Sequence, residues 1–71
     1  MTLKLFEARI FNRDVRAAMR AGRTNDTAFD DSWADTRFVE IKALNTDFAR
    51  QIAERRYPDD QGFEIEGIDE I

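Results

Sequence analysis

Apolar and polar positions alternate along residues 3–11, LKLFEARIF. Phe6, Ala8 and Ile10 fall on one side and Glu7 and Arg9 on the other, the period of two that marks a half-buried strand. Leu3, Leu5 and Phe11 share the second side, so this strand is apolar on parts of both faces, which predicts a central place in a sheet. The period then lengthens. Asn12 is suited to cap a helix, and Asp14 sits where the helix dipole favours an anion. Val15, Ala18 and Met19 recur at helical spacing and predict a first helix over residues 13–21, with Gly22 as its stop.

Residues 23–35, RTNDTAFDDSWAD, form a long connection, and loops of this length without structure are uncommon in compact domains. Phe29 and Trp33 are four apart, so a short helical turn is expected to dock both rings on the core. Residues 36–43 predict a second strand, with Val39, Ile41 and Ala43 on one face and Phe38, Glu40 and Lys42 on the other. Residues 45–57 predict a second helix, capped by Asn45 or Thr46. Its buried stripe is Phe48, Ala49, Ile52, Ala53 and Tyr57. Asp47, Arg50 and Glu54 fall on its solvated side at ion-pairing spacing, and Pro58 ends it. After the turn PDDQG comes a third strand, FEIEGIDEI, with Phe63 and Ile65 inward and Glu64 and Glu66 outward. Ile68 breaks that parity, and a bulge at Gly67 is expected to return it to the core face.

These elements predict one α+β domain over residues 1–71, in the order β-α-β-α-β. The expected architecture has two layers: a three-stranded sheet in the order 2-1-3 and two helices on one of its faces. The first strand would run antiparallel to both neighbours, the long loop permitting the reversal. A right-handed crossover is expected through the second helix. The fallback is a parallel sheet in sequential order.

Composition narrows the chemistry. The chain has 71 residues, six Phe, one Trp, one Tyr, no Cys and no His. Disulfides and thiolate catalysis are excluded, as are the commonest general base and zinc ligand. Ser32 lacks an activating base, the three glycines form no phosphate loop, and the Asp26, Asp30, Asp31 and Asp35 cluster lacks the ligand order of a calcium loop. No enzyme activity, cofactor or metal site is expected. No stretch of about 18 apolar residues is present, so no membrane span is expected. The N-terminus lacks a secretory pattern, and a cytoplasmic location follows by default.

Charge supplies the functional candidate. The formal net charge is -4, yet residues 1–25 carry a net +4 and residues 26–71 a net -8. Arg13, Arg16, Arg20 and Arg23 all fall within one quarter of the first helix's circumference, opposite Val15, Ala18 and Met19. Same-sign neighbours at this spacing cost a few tenths of a kcal/mol per pair. The stripe is either a solvated face offset by the chain's own acidic half, a contact for an acidic protein partner or a second copy of the chain, or a phosphate-binding surface for nucleic acid. The leading expectation is a small interaction or regulatory domain that contacts its partner through Arg13, Arg16, Arg20 and Arg23. Trp33 and the uncovered sheet face with Leu5 and Phe38 are secondary candidates, and the Phe29–Trp33 loop is expected to fold over that face. A further alternative is an acidic decoy using Glu64, Glu66 and Asp69 against a basic partner. Small acidic accessory proteins of bacteria and phages, including nuclease inhibitors that mimic DNA, share this size and charge; the likeness is compositional and locates no site.

Overall fold

The structure is a computed structural model and describes residues 2–71. The order is β1 (Lys4–Asn12), α1 (Arg13–Arg20), a single 3-10 turn (Asp31–Ala34), β2 (Arg37–Ala43), α2 (Thr46–Arg56), a second 3-10 turn (Asp59–Gln61) and β3 (Phe63–Glu70). The sheet has the order β2-β1-β3, with β1 antiparallel to both neighbours. The apolar content on both faces of residues 3–11 thus marks the central strand as expected. β2 and β3 consequently run in the same direction, and α2 joins them across the sheet.

Period-two patterning decides which face is covered. Phe6, Ala8 and Ile10 of β1, Ile41 and Ala43 of β2 and Phe63 of β3 are buried together with Ala49 and Ala53 of α2. The two alanines leave little side-chain bulk between helix and sheet, so α2 can approach closely enough to close-pack. Of the two expected face-covering helices, α2 lies across all three strands, whereas α1 packs chiefly on the first 3-10 turn and meets β1 and β3 only locally. The reason is continuity: Asn12 ends β1 and caps α1 with no intervening loop. Nine extended residues span about 30 Å and eight helical ones about 12 Å, together close to the 47 Å longest dimension.

Asn12 holds this junction and is fully buried. Its Oδ1 accepts from the backbone N–H groups of Asp14 and Val15 at 3.0 and 3.1 Å, and its Nδ2 donates to the Gln61 carbonyl at 3.0 Å. The same side chain therefore caps α1 and ties it to the turn before β3. Gly62 closes that turn at φ +96°, and its carbonyl accepts from the Arg13 backbone N–H at 2.8 Å. A Cβ at Gly62 would press on the Asn12 and Asp14 side chains.

The bulge forms one residue before its expected position. Arg9 pairs with Gly67 and Ile10 with Ile65, leaving Glu66 as the extra residue of β3. Ile68 thereby returns to the core face opposite Ala8. Gly67 has a separate role. The Arg9 side chain crosses over it to pair with Asp69, and a Cβ there would collide with the guanidinium.

Three expectations require correction. Met19 and Phe48 are each 46% exposed rather than in the core, because helical spacing identifies a stripe without showing what lies beneath its edges. Asp47, Arg50 and Glu54 form no ion pair among the described residues. The Phe29–Trp33 loop docks, but on the core side. Phe29 meets Phe63 at 4.7 Å between ring centroids, and Trp33 meets Phe63 at 5.2 Å and Tyr57 at 5.3 Å. Two of these contacts are edge-to-face, and such pairs contribute about 0.5–1.5 kcal/mol each beyond burial. Among the described residues, no helix is long and apolar enough to cross a membrane.

Candidate interaction surface

The expected stripe of four arginines is corrected to three. α1 ends at Arg20 and the chain turns at Gly22, φ +66°, so Arg23 lies beyond the helix. The three on α1 have different fates, set by what folds back against the helix. Arg13 lies in the first turn, beside the second 3-10 turn. Its Nη1 donates to Asp59 Oδ1 at 2.9 Å and its Nη2 to the Asp59 backbone carbonyl at 2.8 Å. Both side chains are solvated, so the ion pair contributes at most about 1 kcal/mol. Arg16 is half-buried. Its Nε donates to the Ala34 carbonyl at 2.7 Å, and its guanidinium carbon lies 3.5 Å from the centroid of the Phe11 ring. Planarity lets one guanidinium stack on an aromatic face and donate from its edge.

Arg20 and Arg23 are exposed, and neither side chain forms a hydrogen bond or ion pair with any described residue. Arg20 borders two shallow grooves. One is lined by Phe11, Arg13, Arg16, Ala17 and Glu64, the other by Arg16, Met19, Ala34 and Asp35. Arg23 lies apart, beside Asp14, Thr24 and Asp26. On α1, Arg13 and Arg16 are thus engaged within the chain and Arg20 is free of any described partner, while Arg23 is a separate free cation beyond the helix.

The uncovered sheet face adjoins this helix. Phe11 is on that face, and because Arg16 covers it, it is buried. Toward the far end of β1 the register stacks charges of one sign: Glu7 stands directly opposite Glu40 on β2 and Asp69 on β3. Like charges directly opposed across strands are destabilising, and within the chain Arg9 offsets only Asp69. Between this carboxylate row and Phe11 lies the row of Phe38, Arg9 and Gly67. Phe38 is 63% exposed; the Phe29–Trp33 loop does not reach it. Leu5 lies one row beyond the carboxylates, opposite Lys42, and is half-buried.

Trp33 is half-buried in the aromatic cluster, with the Arg37 guanidinium 4.3 Å from its ring centroid. It orders the loop instead of presenting a free ring. The aspartate cluster is local scaffolding. Asp30 caps the first 3-10 turn by accepting from Ser32, and Asp31 accepts from Asn25 Nδ2 at 2.8 Å. The Ser32 hydroxyl bond is the main cause holding the Asp30 carboxyl below its ordinary pKa, assisted by backbone N–H bonds and by Arg37. Among the described residues, no three His, Cys, Asp or Glu side chains are grouped to hold a metal ion.

Glu7 and Glu40 are outward by parity and Asp69 is a decoy candidate in the sequence, but nothing there aligns the three in one row. They are far apart in the chain, and only the strand register brings them together. Comparison with protein-family models, curated proteins and solved structures finds no significant match.

Proposed function

We propose that this protein is a small interaction domain that binds an acidic protein surface through the free end of the α1 arginine face. Arg20 is the central contact, Met19 and the outer edge of Arg16 complete the patch, and Arg23, beyond the helix, supplies a second free cation nearby in the chain. The observation that supports this most is an asymmetry. Residues 26–71 hold thirteen acidic side chains, yet none pairs with Arg20 or Arg23, whereas Asp59 pairs with Arg13. Arginine is enriched in interface hot spots, and both Met and Arg are enriched at interfaces over the rest of the surface. Arg20 and Arg23, unpaired among the described residues, would neutralise only about two phosphates, which disfavours a nucleic-acid backbone as the ligand. The proposed role needs no catalytic step.

The test is a titration at low salt with three probes: an Asp/Glu-rich peptide, a Lys-rich peptide, and single- and double-stranded oligonucleotides. The acidic peptide should bind, weaken as salt screens the contact, and be lost in the Arg20→Glu/Arg23→Glu double variant. Binding of oligonucleotide alone would replace this reading with nucleic-acid recognition. Binding of the Lys-rich peptide alone would point to the acidic strand residues as a decoy surface.

A further inference from the structure

We infer that the chain forms a two-fold dimer by pairing its β2 edge with the β2 edge of a second copy, giving one six-stranded sheet. The order β2-β1-β3 leaves two edges, and they are unlike. β3 is bulged at Glu66 and carries Glu64, Glu66, Asp69 and Glu70, devices that keep a strand edge from meeting its own copy. β2 pairs with β1 without a register break. Among the described residues, no turn or loop backbone hydrogen-bonds to Arg37–Ala43 from outside the sheet, so the outer amides and carbonyls of β2 form an open template.

Charge fixes the alignment. Antiparallel partners point to one face of a sheet, so residues of equal parity must meet if α2 of both copies is to lie on the same side. A two-fold axis at Glu40 would oppose the two Glu40 side chains, one at Lys42 would oppose the two lysines, and one at Val39 would set Arg37 against the buried Ile41. An axis at Ile41 instead sets Glu40 against the partner's Lys42, and Lys42 against the partner's Glu40. Opposite charges so placed are stabilising, and Glu40, which faces Glu7 within the chain, gains a cation. On the core face Val39 meets the partner's Ala43. On the open face the exposed Phe38 comes level with the partner's Leu44.

The helix above favours the same edge. Arg50 and Glu54 of α2, with the capping Tyr57, border a groove with Phe63 and Ile65 of β3. At 100° per residue, Phe48 and Ile52 fall on the opposite flank of α2, toward β2. The Ile41 axis brings Phe48, exposed in the single chain, toward the partner's Phe48 over the joined strands. Pairing uses both β2 edges and leaves only the acidic β3 edges outside, so the assembly closes at two copies. Ile10 pairs with Arg37, and α1 follows β1 at that end. Antiparallel pairing therefore sends the two α1 helices to opposite ends of the dimer. Their arginine faces stay free, so dimerisation goes beyond the acidic-partner role and depends on none of its contacts.

The experiment is sedimentation equilibrium on the full chain and its variants, with circular dichroism to check that each is folded. Wild type should form a concentration-dependent dimer. Glu40→Lys and Lys42→Glu should each weaken it by roughly tenfold, because either change makes both symmetry-related pairs like-charged. The double variant E40K/K42E should restore self-association. An equimolar mixture of the two single variants should form a heterodimer in preference to either homodimer, seen by native mass spectrometry with one variant isotope-labelled. On wild type alone, amide exchange within Arg37–Ala43 should slow as concentration rises, while that of the β3 edge does not change. A wild type that stays monomeric at high concentration overturns the dimer. So does a dimer that is indifferent to the charge swap, or one that protects β3 instead of β2.

Discussion

The Arg16 guanidinium stacks on Phe11 while donating to the Ala34 carbonyl, so one side chain joins α1, the open sheet face and the first 3-10 turn. A stacked, partly buried cation contributes about 1–2 kcal/mol, and its hydrogen bond about 1 kcal/mol more. Arg16→Ala should lower unfolding stability by about 2 kcal/mol. Arg16→Lys should recover only part of that, because an ammonium cannot stack and bridge in the same plane. Urea unfolding of the two variants with Phe11→Leu as a double-mutant cycle measures the coupling. A coupling indistinguishable from zero would show the stacking to be incidental.

Asn12 offers a sharper chemical test. Asn and Asp rank equally as helix caps, so Asn12→Asp would be harmless if capping were its only role. The buried side chain also donates to the Gln61 carbonyl, and an ionised aspartate offers no donor. The variant should lose about 1–3 kcal/mol at neutral pH. Burial raises the folded pKa of the new carboxyl above its unfolded value. The protonated form is then favoured in the native state, so the deficit should shrink as pH falls through that raised pKa. Chemical denaturation at several pH values reads this directly.

For Asp30 the sign is opposite. Its folded pKa is depressed, chiefly by the Ser32 hydroxyl, so the native state is favoured when the carboxyl is ionised. The contribution is fully present above the ordinary carboxylate range and is lost as pH falls through the folded pKa. Ser32→Ala should move the Asp30 titration upward, toward its ordinary value, in carboxyl-detected NMR. Asp30→Asn should flatten the acid limb of the stability profile slightly.

Phe63 touches Phe29, Trp33 and Tyr57, which makes it the hub for loop docking. Phe63→Ala should cost about 3–5 kcal/mol, comparable to the whole stability expected of a small domain. Phe29→Leu is the milder probe. It should red-shift the emission of Trp33, the only tryptophan, while leaving the far-ultraviolet circular dichroism of the sheet in place. Unchanged emission would place the loop's anchoring elsewhere.

The elements were legible where local chemistry decides them. Asn12 and Asn45 cap their helices, and the parity break at Ile68 betrayed a bulge whose extra residue is Glu66. Two-sided apolar content was enough to place β1 in the centre. What the sequence could not show depends on which distant groups meet. Nothing local distinguishes Arg13, which finds Asp59, from Arg20, which finds no described partner. Nothing local aligns Glu7 with both Glu40 and Asp69. Met19 and Phe48 illustrate the same limit from the apolar side: a helix turns each toward the edge of its stripe, and only the packed neighbour determines whether that edge is covered.

The central position of β1 also has a kinetic side. Its Ile10 must wait for Arg37, and its Phe6 for Glu70, so neither side of the strand can be completed from nearby sequence. Loop-closure entropy is then incurred twice before the sheet is whole. Folding should accordingly fall toward the millisecond end for mixed domains and not the microsecond range of helical bundles. Until β3 arrives, β1 carries an open edge of unpaired amides, and in that interval the chain is most exposed to pairing with the wrong neighbour.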